Sequence, residues 1–171
     1  MSGGVKGIAE AMDILQRLGP SRGYYPEPTK LIFVCRQADR RKAKELLDDF
    51  EFIHWDGARY IGGFIGTEES RNEWLAPQIE AWEAGVKTLA RVAKRFPQTA
   101  YAGLTKSLQT EWTYLQWVVP DIANAFAPIE EAIKTDFLPA LFDGEPPDRD
   151  LTQLPVRMAG MGIPDPWRHA Q

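Results

Sequence analysis

An apolar stripe that steps by three and four residues constrains this chain more than any other feature. Ile79, Trp82, Val86, Leu89, Ala93 and Phe96 recur at that interval, which lines side chains along one face of an α-helix. Pro97 suits the first turn of a following helix, where a missing N–H costs nothing. Tyr101, Leu104, Leu108, Trp112 and Leu115 carry the stripe on until Pro120. A third helix is predicted over residues 121–138, with Ile122, Phe126, Ile129, Ile133 and Phe137 inward and a kink at Pro128. The short connections make these helices antiparallel neighbours.

Residues upstream of the stripe alternate between the two periodicities. Over residues 5–18, Ile8, Ala11, Met12 and Leu15 share a helical face, and Gly19-Pro20 stops the helix. Residues 30–35 (KLIFVC) form an apolar run that reads as a strand buried on both faces or nearly so. Residues 39–50 return to helical period, with Ala43, Leu46, Leu47 and Phe50 inward and charges opposite. Residues 51–55 and 58–61 flank Asp56-Gly57, the pattern of a type I′ hairpin. Gly62, Gly63 and Gly66 then mark a bend, or a place where another backbone comes close. The fold class predicted is α+β: a small antiparallel sheet with packed helices over residues 1–66, then an antiparallel helical region over 67–143. Residues 144–171, rich in Pro and Asp, read as a linker and tail with little regular structure.

Composition bounds the function. Hydrophobic residues make up 44 %, with six Trp, enough to build a core. The formal charge of −4 weighs against a free-standing nucleic-acid binder but permits a local basic face. The single Cys35 cannot form an internal disulfide. No apolar run nears the ~20 residues of a membrane span, and Met1-Ser2-Gly3-Gly4 lacks the features of a signal peptide. An intracellular protein without a membrane partner is therefore expected.

Candidate chemistry is sparse. Lys87, Arg91, Lys94 and Arg95 fall along one helix edge, and Lys106 extends the patch; the set reads as a duplex-backbone contact or as a solubilising face. Arg59 and Tyr60, followed by Gly62 and Gly63, read as a nucleic-acid contact or as a tightly packed hairpin. Asp48-Asp49 and Glu130-Glu131 read as solvated charges, and Cys35 as a packing residue. His54 and His169 lie far apart, with no partner at metal-ligand spacing, so no metal site is expected. No nucleophile elbow or phosphate loop is present.

Residues 23–34 (GYYPEPTKLIFV) resemble the segment that follows the catalytic aspartate hairpin in reverse transcriptases. Residues 57–66 (GARYIGGFIG) look like the primer grip of the same family. The phrases at 96–103 (FPQTAYAG), 137–141 (FLPAL) and 154–163 are similar to the helical part of retroelement enzymes. The resemblance implies a partial palm over 1–66 and a thumb-like region over 67–143. It implies a primer-grip role for Gly57, Arg59, Tyr60, Gly62 and Gly63, and duplex contacts for Lys87, Arg91, Lys94, Arg95 and Lys106. Lys30 would sit near the incoming nucleotide and protonate the departing pyrophosphate, but only in an intact polymerase.

The family's Tyr-x-Asp-Asp pair is missing, and by this alignment Met1 lies a few residues past it. Those carboxylates hold two divalent metals. The family uses Mg²⁺; for this chain no cofactor is expected, and no catalysis alone. Trp117 stands where the family tends to carry Arg. The expected function is that of a truncated RNA-directed DNA polymerase, with weak primer–template contacts and an upstream polymerase half as a partner. The alternatives are a helical protein-interaction module and an open reading frame without function.

Overall fold

The computed structural model describes residues 4–27, 32–47, 52–54 and 56–170. The chain divides into two compact units, Met1–Arg71 and Asn72–Gln171. The first mixes helices and strands and the second is helical, so the class is α+β, as expected.

In the first unit, α1 (Val5–Leu18) is followed by β1 (Ile32–Val34), α2 (Arg40–Leu46) and β2 (Phe52–His54). Strands β1 and β2 pair in parallel, Ile32 with Phe52, Phe33 with Ile53 and Val34 with His54. The Cys35 N–H extends the ladder to the His54 carbonyl at 3.1 Å. A parallel pair needs a crossover, and α2 supplies it. Val5, Phe33, Ala43 and Leu47 form the core, with Ile8, Ala9 and Cys35 against it.

Two expectations fail here. Strand β1 is not buried on both faces: Phe33 points inward while Ile32 is 47 % exposed. Leu46 is also 44 % exposed: within the seven-residue helix only Ala43 is buried, and the residue four further on that joins it in the core is the C-cap, Leu47.

The hairpin expected across Asp56-Gly57 does not form either. Strand β3 (Gly57–Tyr60) pairs antiparallel with β4 (Gly63–Gly66), and β2 is committed to β1. The two-residue turn is Ile61-Gly62, with φ of +47° and +77°. Two positive φ values define a primed turn, whose twist matches that of the flanking strands. Gly57 is used inside the strand instead. Its φ is +153°, and a Cβ there would come within 2.5 Å of the Phe64 ring.

The second unit is built on α3 (Glu68–Ala93), whose first turn contains the division between units. Then α4 (Pro97–Gly103), a π turn (Leu104–Leu108) and α5 (Gln109–Val118) form one helical run. A second run joins a 3₁₀ turn (Ala123–Phe126), α6 (Ala127–Ala132), a π turn (Ile133–Phe137) and α7 (Leu138–Leu141). Pro128 begins α6 rather than kinking it. The Trp82 ring stacks on Phe126 at 6.2 Å and meets Trp112 edge-on at 6.0 Å. All five residues predicted inward on the third helix are buried, none above 2 % exposed. Leucines seat over glycines where the first two helical runs touch, Leu108 on Gly85 and Leu89 on Gly103, which makes α3 and the next run antiparallel. Phe96, expected on the stripe, is 52 % exposed. Helix α3 ends at Ala93, Phe96 becomes the N-cap of α4, and the Arg95 guanidinium lies 5.2 Å above its ring.

Residues 144–171, read from sequence as a linker and tail, contain α8 (Arg149–Gln153) and α9 (Pro166–His169) and belong to the second unit. Ile163 and Ala170 join its core. The Tyr101 hydroxyl donates to the Met161 carbonyl at 2.6 Å, and Gln116 Nε2 to the Pro166 carbonyl at 2.8 Å.

Candidate nucleic-acid interface

Of the predicted site residues, Lys30 lies outside the described residues, as do Asp48 and Asp49. The five primer-grip-like residues are brought together on the β3–β4 hairpin. Side chains alternate across a strand, and opposite partners share a face. Arg59 pairs with Phe64 on one face, and Tyr60 with Gly63 on the other. Both side chains are exposed. A nucleic-acid backbone crossing one face therefore meets Arg59 or Tyr60, not both.

The glycines answer mainly to the hairpin itself. Gly57 lies under Phe64, Gly62 takes the left-handed turn position, and Gly63 is buried opposite Tyr60. At the tip Ile61 is 71 % exposed with φ of +47°. A β-branched residue in that conformation is strained. Ile61→Asn is therefore expected to raise the stability of the first unit by roughly 1 kcal/mol. Thermal melting would check this, and an unchanged midpoint would count against strain at the turn.

The second predicted set sits at the C-terminal end of α3 and just beyond it. Lys87 and Arg91 are on the helix, whereas Lys94 and Arg95 lie in the turn after Ala93. Lys87 is bonded to Glu83 at 2.6 Å. That hydrogen bond and charge, with a smaller contribution from Asp136, hold its ammonium above the usual lysine value. Arg91 donates to the Thr88 hydroxyl at 2.8 Å. Lys106 is exposed on the π turn of the neighbouring run. Glu69, Glu73, Glu80 and Glu83 occupy the same face of α3 nearer its start. Acids early and bases late are what the helix dipole favours, so part of this pattern serves the helix.

Other candidates resolve into structural roles. The Cys35 thiol is pushed up by burial and by Asp39, which disfavours the thiolate. Glu130, expected on a solvated face, is 5 % exposed and bonds Arg149 through both oxygens, at 2.9 and 2.8 Å. No group of three His, Cys, Asp or Glu arranged to hold a metal occurs among the described residues.

No family model, curated protein or solved structure matches this chain. Among the described residues no helix is long and apolar enough to cross a membrane. Sequence reasoning missed the Arg149 clamp and both short helices around it. The caps were readable: Asp148 accepts from the Asp150 N–H at 2.8 Å, and Asp165, followed by Pro166, accepts from Trp167 at 2.9 Å.

Proposed function

We propose that this chain is the palm-end and thumb-like portion of a reverse-transcriptase-like RNA-directed DNA polymerase. It is a remnant that holds a primer–template duplex weakly and extends nothing alone. The observation that carries this is the β3–β4 hairpin: a glycine-rich primed turn with an exposed Arg59 leads directly into a long helix ending in cations. Phosphate neutralisation is the chemistry such groups offer.

The test is binding of the full chain to an RNA–DNA hybrid, followed by fluorescence anisotropy against salt. Three phosphate contacts set a lower bound, about 40-fold weaker binding at 200 mM than at 50 mM salt, and each further contact steepens the loss. Arg59→Ala and Arg91→Ala should each lower the log–log salt slope by about one. Lys87→Ala should change it less, because Glu83 already occupies that ammonium. Primer extension with Mg²⁺ or Mn²⁺ should be nil. Absent or salt-independent binding sinks the proposal, and so does any template-dependent extension.

A protein-interaction module is the second reading. It is favoured by Tyr114, Trp117 and Val118, which share one stripe of α5 and are 43 %, 74 % and 43 % exposed. That reading predicts no hybrid binding at all.

A further inference from the structure

Helix α2 is heavily charged for its length. Residues 36–47 contain Arg36, Arg40, Arg41, Lys42 and Lys44, against two carboxylates, Asp39 and Glu45. All five cations are exposed, whereas Ala43 and Leu47 commit the apolar side to the first unit's core. Packing explains the apolar positions but not the excess of cations, of which Arg40 and Arg41 have partners within the protein.

The contrast with α3 makes the point. There the acids Glu68 and Glu69 occupy the first turn and Arg91 the last, the order the helix dipole stabilises. In α2 Asp39 is the N-cap and Lys44 stands in the last turn, as the dipole favours, but the first turn is basic. Arg40, Arg41 and Lys42 are its first three residues, and its first turn contains no acid. Cations at that end oppose the dipole and repel one another. The ion pair of Arg41 with Glu45 spans 3.9 Å between side chains 94 % and 67 % exposed, so it offsets little. Charges that weaken their own helix point to an anionic partner.

We propose that residues 36–44 form a phosphate-binding surface through which the first unit holds a nucleic-acid backbone. This deepens the proposed function and rests on it. Three of the five cations are arginines, whose planar forks fit phosphate oxygens two at a time. Arg36 and Lys42 line one open cavity of about 690 Å³ together with Asp39, which leaves its charged lining with one net positive charge. A lipid surface fits less well. An interfacial helix needs an exposed apolar face beside its cations, and α2 buries Ala43 and Leu47, leaving Leu46 alone outside.

The experiment compares the full chain with two variants in the hybrid-binding titration. Arg41→Gln/Lys42→Gln/Lys44→Gln removes charge and keeps good helix formers. Arg41→Lys/Lys42→Arg/Lys44→Arg keeps the charge. The first should lower the log–log salt slope by about 2 to 3 while its melting midpoint stays level or rises. The second should bind like the parent. If the glutamine variant keeps the parental slope while Arg91→Ala lowers it, this inference fails and the proposed function stands. If the parent does not bind the hybrid, both fail. Phosphatidylserine vesicle binding that depends on the three cations, with hybrid binding unaffected, would also overturn it in favour of a membrane surface.

Discussion

Replacing Arg149 by alanine is expected to cost the second unit about 3–5 kcal/mol. The guanidinium has five N–H donors, and five hydrogen bonds account for them. Nε and Nη2 grip the two oxygens of Glu130 at 2.9 and 2.8 Å. Nη1 donates to the Thr152 hydroxyl at 2.9 Å and to the Ile163 carbonyl at 2.7 Å, and Nη2 reaches the Pro164 carbonyl at 3.1 Å. The side chains of Arg149 and Glu130 are 14 % and 6 % exposed. Truncation leaves Glu130 a buried carboxylate with only Lys134, at 3.2 Å, nearby. Lysine should not rescue the site, because one ammonium cannot reproduce a planar fork that reaches four groups. In urea unfolding followed by tryptophan fluorescence, a loss under about 1 kcal/mol would mean that the pair behaves like an exposed one. In thermal melts the shift should be roughly 4–8 °C per kcal/mol for a unit of this size.

Trp82→Ala is expected to cost about 3–5 kcal/mol by cavity formation. The indole is 7 % exposed and wedged between Trp112 and Phe126, and its Nε1–H donates to Glu111 at 3.0 Å. Each aromatic contact adds about 0.5–1.5 kcal/mol beyond the area it buries. Trp82→Phe keeps much of the stacking and loses the hydrogen bond to an exposed carboxylate, so its cost should be about 1–2 kcal/mol. Near-UV circular dichroism should report the loss of ordered aromatic packing in the alanine variant. Equal costs for the two substitutions would mean that the ring contributes little through its neighbours.

The helical core was legible because its determinant is local. Ile122, Phe126, Ile129, Ile133 and Phe137 declare their face through spacing alone, and all five are buried. Phe96 kept the same spacing and misled, since the end of α3 at Ala93 resets the helical phase that periodicity assumes. The hairpin was misread for another reason. Asp-Gly is a stronger turn signal than Ile-Gly, but the Phe64 ring needs the bare Gly57 beneath it, and that contact is invisible in a window of four residues. Parallel pairing of β1 with β2 joins residues some twenty apart in sequence, as with Ile32 and Phe52, and no local pattern announces it. Helices α8 and α9 are too short to show a period. They are held by caps and by Arg149, not by a stripe. The candidate contacts were legible as residue types only: Arg59 and Tyr60 are neighbours in sequence, while strand geometry turns them apart.

The packing of Ile163 and Ala170 into the same core as Trp82 sets an order of events on the ribosome. Translation at ~5–20 residues per second separates the emergence of the two ends of the second unit by roughly 5–20 s. Residues 1–71, which form the first unit, have all emerged by then. The nascent helical runs meanwhile wait with Phe126 and Ile129 uncovered, a state that chaperones recognise. Synthesis speed and chaperone supply are then expected to count alongside the strength of the finished contacts in deciding how much of the second unit reaches its folded state.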